Sequence, residues 1–585
     1  MIALGGGCFA SAAVAAPSAR TEAVVQSTAP DAAQVGESYV QLYSPLPASV
    51  PAHPAACDWI GYLRFWDRGA ARPARKHRRH RRHRHRHHRH SASHRRARAR
   101  DAAVASRTAA PPPVSSADAV IVSMPGFLAG AADFDQLARH VIEEAAARGR
   151  HVEFWALDRR ANCLEDHRGT DAAARAHDYL AAVRYYFHGQ PIDGHRFAGF
   201  KTSDQVPFLA DFGIAQTLRD EYTVITRGVP DPAVRKRKVF CGGHSLGGPL
   251  TGAFAAWDFD GNPSTTADAG YNQCAGFFGL DTSLSVGSSQ SGTPGISQAV
   301  DALVRYGGQG RFFDAPPATP ASIQLLGPIG VAAYQDPQAE SRLLANVPDT
   351  PDINLSNRVL FSRNAAEFAT GTPSVRDFRF TNETALGGVF DDNSDPISIF
   401  RASIGVFDGG PVQEKDFPAP EALAGLGGQN RLMAPSTPNG PLYTWRHYDQ
   451  LTAPGAPHQM DGSGQPFTSP SSEVTDIHQL ARTMFEAPAD FTEQYFPTRL
   501  LTDDVAAESG DRSGDLQNLR HTDVPLHPSL LIEAGEGIGG SGADRVVTLP
   551  GYNHLDVATA AARQNDGKPE GASTALASFV LSAIR

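Results

Sequence analysis

The chain has 585 residues, 41% of them hydrophobic and 20% charged, with a formal net charge of −9, enough for one large domain with an insertion or for two or three ordinary domains. No interior apolar run approaches the roughly 20 residues that cross a bilayer, so a transmembrane segment is excluded. The charge is uneven, because fifteen Lys and Arg lie between Arg68 and Arg100 with no acid between Asp67 and Asp101; the acidic remainder argues against nucleic acid as a specific ligand.

Residues 1–16 are Ala/Gly-rich and apolar and end in Val14-Ala15-Ala16, a small-residue cleavage pattern without the usual basic stretch before it. They read as a signal peptide, which implies a secreted or extracytoplasmic protein, with a cytoplasmic one as the alternative. Residues 17–35 read as a low-complexity linker. Aromatic and β-branched residues at 38–43 and 59–66 predict two strands at the antiparallel edge of a sheet. The run from Arg72 to Arg100 has no means of building a core and is expected to be disordered, within a Pro- and Arg/His-rich insertion at 68–112. Its arginines suit polyanions and its imidazoles soft divalent metals, although a tolerated low-complexity insertion explains it equally well.

A βα rhythm follows. Residues 119–122 are a fully apolar strand leading into Pro125-Gly126-Phe127, then a helix over 134–147 with Leu137, Val141 and Ile142 on one face. A strand is expected at 151–158 and helical periodicity at 172–187 and 206–218. Further strands fall at 273–280, 529–536 and 545–549, and a last helix at about 572–584. Strands alternating with helices imply a mostly parallel central sheet with helices on both faces. Residues 284–520 break this rhythm, with scattered helices at 296–306, 339–345 and 477–484, and read as an insertion covering the sheet. The Asp258-Phe259-Asp260-Gly261-Asn262 stretch begins like a calcium loop but has Pro263 where glycine is required, so an acidic turn is expected. No metal or cofactor is implied. Cys57 and Cys163 are candidates for one disulfide in an exported protein, while Cys241 and Cys274 read as buried thiols.

The chemistry centres on an apolar strand that breaks into Gly243-His244-Ser245-Leu246-Gly247-Gly248. Gly-x-Ser-x-Gly between a strand and a helix is the pattern of a sharp turn that exposes a nucleophilic serine. Such a serine needs a base, an acid to orient the base and amide donors for the oxyanion. His554, in the loop after the last strand, is the candidate base. The N–H groups of Leu246 and Phe127 are the candidate oxyanion donors. Glu536, at the end of the penultimate strand, is the first candidate acid, with Asp281 as the alternative and Asp544 behind both.

The Gly243–Gly248 motif, the Pro125-Gly126-Phe127 loop and Gly551-Tyr552-Asn553-His554 together resemble the α/β-hydrolase superfamily, in its lipase and esterase branch. The resemblance implies a hydrolase core over 36–283 and 521–585, with a lid or cap at 284–520. It implies a serine hydrolase that cleaves a small-molecule carboxylic ester through an acyl-enzyme. Peptidase, amidase or acyltransferase chemistry is the alternative on the same fold. A non-catalytic surface-binding protein using the Arg/His segment is the alternative from another class. Serine rather than aspartate at the turn argues against the dehalogenase and epoxide-hydrolase chemistries that such folds also host.

Overall fold

The computed structural model describes residues 19–69, 110–286, 304–417, 432–447, 473–486, 488–489, 491–564 and 567–584. The expected signal peptide and the Arg/His run lie outside the described residues. Of the helix expected at 296–306 only the last turn, 304–306, is described, as helix.

Nine strands make one sheet: β1 (Arg20–Val24), β2 (Val35–Tyr43), β3 (Trp59–Asp67), β4 (Ala119–Met124), β5 (Val152–Asp158), β6 (Val239–His244), β7 (Gly276–Leu280), β8 (Ser529–Ala534) and β9 (Arg545–Leu549). Their spatial order is β1-β2-β3-β5-β4-β6-β7-β8-β9. The pairs from β1 through β3 to β5 are antiparallel and all the others parallel. The parallel part therefore brings the carboxyl ends of β4, β6, β7 and β8 side by side, where the loops that carry chemistry gather.

Alternation along the strands builds a core on each face. Val120, Val122 and Met124 of β4 pack with Cys241 and with helices α2 (Ile214–Gly228) and α3 (Gly247–Ala256). Ala119 and Ile121 point the other way, toward α1 (Asp135–Ala147) and α4 (Gly571–Ala583). Leu137, Val141 and Ile142 are the buried face of α1, as their spacing predicts. Each such side chain contributes about 1.5–3 kcal/mol on burial, so both helical layers are firmly held to the sheet.

Several elements depart from expectation. Residues 20–24, assigned to a linker, form the edge strand β1; an edge strand needs one partner only, and the polar Glu22 is satisfied there by Ser38 Oγ at 2.7 Å and Arg64 Nη1 at 2.9 Å. The helix expected at 172–187 is two helices, Arg168–Ala176 and Tyr179–His188. The break falls at His177, in the left-handed region at φ 53°, and Asp178 caps the second helix through the N–H of Leu180. The helix expected at 206–218 becomes a short turn at Pro207–Asp211 followed by α2, and that at 339–345 is only Leu343–Asn346.

The chain between β7 and β8 is an inserted region with its own apolar cluster, in which Leu386, Phe407, Tyr443, Trp445 and Leu480 are buried together. It holds strands the sequence reading passed over, among them Arg379–Phe380, Val406–Asp408 and Leu442–Arg446, which pair in one small sheet. Two disulfides tie the sheet layers. Cys57–Cys163 joins the turn before β3 to the turn after β5, and Cys241–Cys274 joins β6 to the segment leading into β7. The second replaces the pair of buried thiols expected there, because the chain before β7 runs back beside β6 with the two Cα atoms 6.0 Å apart. No described helix is long and apolar enough to cross a membrane.

Candidate active site

Ser245 stands between the last residue of β6 and the first of α3, with φ at 54°, a conformation costly for a residue bearing a Cβ. Hydrogen bonds offset that strain: the Ser245 N–H donates to Leu280 O (3.2 Å), while the Ser245 carbonyl accepts from Gly248 N (3.0 Å) and Thr282 Oγ1 (2.5 Å). The flanking glycines are needed for closeness. A Cβ on Gly243 would lie 2.5 Å from the Gly247 carbonyl carbon, and one on Gly247 would collide with the Met124 carbonyl oxygen.

The base and acid candidates meet at the neighbouring strand ends. His554 Nδ1 lies 2.6 Å from Asp281 Oδ2, with Asp281 fully buried and the His554 ring 2% exposed. Asp281 immediately follows β7 and also accepts from the N–H groups of Ala534 (3.1 Å), Ile538 (2.9 Å) and Gly539 (3.1 Å). These acceptor contacts fix the carboxylate against the imidazole. Burial, opposed by the hydrogen bond to Asp281 and reinforced by the charge of His244, holds His554 below the ordinary histidine value.

Glu536, the first candidate acid, is not at His554. It is exposed, and its N–H donates to Tyr552 O. The loop after β8 folds back over Asp281 and offers it amides in place of a carboxylate to the histidine; Gly537 leaves room for this, since a Cβ there would strike Asp281 Oδ2. Asp544 accepts from His527 Nδ1 (2.7 Å) and Ser529 N at the opposite end of β8.

The loop after β4 passes directly over the serine. A Cβ on Gly126 would come within 2.9 Å of Ser245 Cβ, and the Phe127 ring is wedged edge-on between Phe313 and Phe496. Leu246 caps the ten-residue α3, whose N-terminal dipole favours negative charge beside the serine. Sequence reasoning missed the anchor of this loop. Arg159, following β5, donates from Nη2 to the carbonyls of Pro125 and Gly126 and from Nη1 to Ala129 O (3.2 Å) and Glu493 Oε2 (2.5 Å). Burial, opposed by the adjacent Arg159, raises Glu493 to about 7. Glu493 belongs to the insertion, whose residues 491–493 run along 128–130 through Glu493 N to Leu128 O (2.8 Å) and Gly130 N to Phe491 O (2.8 Å).

The histidine loop is gripped by the insertion as well. Asp556 accepts from Asn553 N (2.7 Å), Ser403 N (3.1 Å) and Thr475 Oγ1 (2.6 Å), and Asn553 Nδ2 donates to Asp392 Oδ2 (3.0 Å). Nothing in the spacing of the Gly-x-x-His segment signals these partners, which lie 80 to 160 residues away.

Ser245 and His554 both face a cavity of about 330 Å³ that runs into the insertion, where Leu128, Ile323, Ile329, Phe390 and Phe491 are among its apolar walls. Away from it, Asp258, Asp260 and Asp268 bring carboxylate oxygens within 4.8 Å of one another. Arg520 Nε lies 3.6 Å from Asp258, main-chain N–H groups of the turn donate to one oxygen of each carboxylate, and Thr265 Oγ1 donates to Asp260 Oδ2 (2.8 Å).

No protein-family model matches the chain, and no curated protein does. Among solved structures the chain is similar to an epoxide hydrolase from an endophytic Streptomyces, at 13% identity over 80% of this chain and 90% of that one, with a TM-score of 0.29. It is also similar to a soluble variant of monoglyceride lipase from Saccharomyces cerevisiae, at 10% identity over 80% and 87% with a TM-score of 0.25. A third is the juvenile hormone epoxide hydrolase from the silkworm Bombyx mori, at 9% identity over 94% and 76% with a TM-score of 0.27. Those scores add little to what the topology itself establishes: with an antiparallel edge, a parallel run in the order β5-β4-β6-β7-β8-β9 and a strained serine turn between β6 and α3, the chain has the α/β-hydrolase fold.

Proposed function

We propose that the protein is a serine hydrolase acting on carboxylic esters with an apolar acyl or alcohol group. The observation that carries this reading is the buried His554–Asp281 pair, 2.6 Å apart, whose histidine lines the same apolar cavity that Ser245 faces. In the proposed reaction Ser245 Oγ attacks the ester carbonyl carbon while His554 Nε2 takes the hydroxyl proton. The carbonyl π electrons move onto oxygen, where the N–H groups of Leu246 and Phe127 receive the negative charge. Collapse breaks the bond to the alcohol, which leaves with the proton from His554. Water, deprotonated by the same histidine, then releases the acid. Asp281 holds the imidazole tautomer that makes this possible.

Serine at the turn supports acyl transfer over the aspartyl-ester chemistry of epoxide hydrolases. The apolar walls favour an ester over a peptide, whose backbone would leave unmet hydrogen bonds there. The insertion serves as a lid that supplies most of those walls. Two disulfides support export into an oxidising compartment.

Turnover of p-nitrophenyl esters of increasing acyl length, against matched anilides, tests the reading. We expect esters to be cleaved and anilides not, and Ser245→Ala to abolish both turnover and labelling by a fluorophosphonate. Retained labelling in the variant would exclude Ser245 as nucleophile.

A further inference from the structure

The residue before the nucleophile is not used by the chemistry above, yet it is among the most constrained side chains in the molecule. His244 is 1% exposed at the end of β6 and faces the same cavity. Its Nδ1 lies 3.0 Å from Asp133 Oδ2, and its Nε2 lies 3.0 Å from the main-chain oxygen of His554. Its ring centroid is 4.6 Å from that of His554, with the planes inclined by 33°. Two acid–histidine pairs, Asp281–His554 and Asp133–His244, therefore sit ring against ring beside Ser245.

The partners determine the charge. A main-chain carbonyl only accepts hydrogen bonds, and an ionised carboxylate only accepts. A neutral imidazole carries one N–H and satisfies one of the two. Both bonds together need one proton more than a neutral imidazole and a carboxylate carry between them; placed on the ring, that proton makes His244 an imidazolium. Asp133, fully buried in the turn Ala131–Phe134 before α1, is its counter-ion. The direction of titration agrees: against the desolvation of the buried ring, the charge of Asp133, the hydrogen bond to it and the bond to His554 O hold His244 above the ordinary histidine value.

We propose that His244 is a positioning residue that acts through His554: a buried imidazolium, anchored on Asp133, that fixes the main chain of the base and extends to lower pH the range in which that base is uncharged. The proposal rests on the reading of His554 as the general base for Ser245. A positive ring in face contact disfavours a second positive ring, so His554 takes its proton from solution only in more acidic conditions than it would alone. The other charged groups around it are Asp281 at the end of β7 and Asp133 before α1, which act in the opposite direction. On the insertion side Asp395 faces the cavity, and Asp392 reaches the loop through Asn553; Asp556 follows His554 in its own loop, tied to Ser403 and Thr475.

Two measurements on the full chain test this. The first is the pH profile of kcat/KM for ester hydrolysis by the wild type and by His244→Gln, whose amide can still donate to the His554 carbonyl but carries no charge. The acidic limb is expected to move to higher pH by roughly half a unit or more; a limb that stays in place, whatever the plateau does, overturns the proposal. The second needs no turnover and no folded variant: ring nitrogen shifts of the wild type labelled with ¹⁵N-histidine. Two histidines are expected to keep both ring nitrogens protonated above the ordinary value near 6.5, His244 and also His447, which, against its burial, Glu383 and Glu473 hold at about 10; a single such signal, or none, overturns the proposal. If Ser245→Ala leaves turnover intact, the hydrolase reading fails, and the nitrogen shifts still decide the state of His244.

Discussion

On the sheet side, buried charge falls in separate groups: Asp133, His244, Asp281 and His554 meet at the carboxyl ends of the strands, while Arg64 pairs with Glu153 and Arg139 with Glu37 and Asp135 over the antiparallel edge and α1. In the insertion it runs through the interior: Asp391, Asp392, Asp395, Arg401 and Lys415 are all buried within one region. There burial, offset by nearby cations and amides, pushes Asp392 up to about 6 and Asp395 to about 7, while burial brings Lys415 down to about 7. Buried charge costs several kcal/mol per ion unless it is paired, so a fold keeps it where it does something. The sheet side keeps part of it in ion pairs and part at the candidate site. The insertion turns part of its own charge outward, onto the loops around Ser245: Asp392 reaches Asn553 beside His554, and Glu493 reaches Arg159 beneath the loop after β4. The insertion is thus part of the frame of the candidate site.

The comparison breaks first at the acid. If the sheet alone supplies the reactive groups, Asp281→Asn lowers kcat/KM on the order of 10⁴-fold, because the histidine loses the partner that fixes its tautomer. Glu536→Gln, at an exposed side chain, should stay within about twofold, as surface changes away from a site usually do. Steady-state kinetics on one chromogenic ester measures both, and a reversal of the two would place the acid on the loop after β8.

The joint between the two regions comes next in size. Arg159→Met removes the donors that hold the Pro125 and Gly126 carbonyls and leaves Glu493 without its cation. A displaced oxyanion donor costs less than a deleted one, which is worth about 10²–10³ in kcat, so a fall of roughly 10- to 100-fold in kcat with little change in KM is expected. Glu493→Gln should produce a smaller fall of the same kind, and the double variant should be no worse than Arg159→Met, since the two residues act as one unit. Additive losses would mean that the insertion reaches the loop by another route.

What could be read in advance follows the same division. The strands of the sheet alternate or run fully apolar, and the serine turn is local, so 243–248 disclosed its strand, its turn and its helix. His554 stands in the loop after the last strand, where its motif puts it. The carboxylate beside it was not legible: Asp281 stands at the end of β7, but the loop after β8 has its own glutamate at the expected place, and only the backfolding of that loop over Asp281 sets the pair. Arg159, Glu493 and Asp133 carry no pattern, because their partners lie 33 to 334 residues away and are brought near by the sheet order and by the docking of the insertion. The small strands of the insertion, two to five residues long, are too short for alternation to register.

One carboxylate on the sheet side belongs to neither arrangement, and it gives the smallest and most specific test. Glu221 in α2 is 1% exposed, with no hydrogen-bond partner at either oxygen among the described residues, and desolvation pushes it up to about 8. Its folded value lies above the unfolded one near 4.5, so the native state keeps the proton that the unfolded chain releases. The stability it allows is fully present below the unfolded value and is lost as pH rises through about 8, with a slope approaching about 1.4 kcal/mol per pH unit in between. Glu221→Gln keeps the shape and removes the titration. Urea unfolding at pH 4 and 8.5 is therefore expected to give nearly equal midpoints for variant and wild type at the lower pH and a more stable variant at the higher. Parallel losses in the two proteins would mean that water or a moving side chain reaches Glu221, and that the helical layer over this face of the sheet is looser than its packing implies.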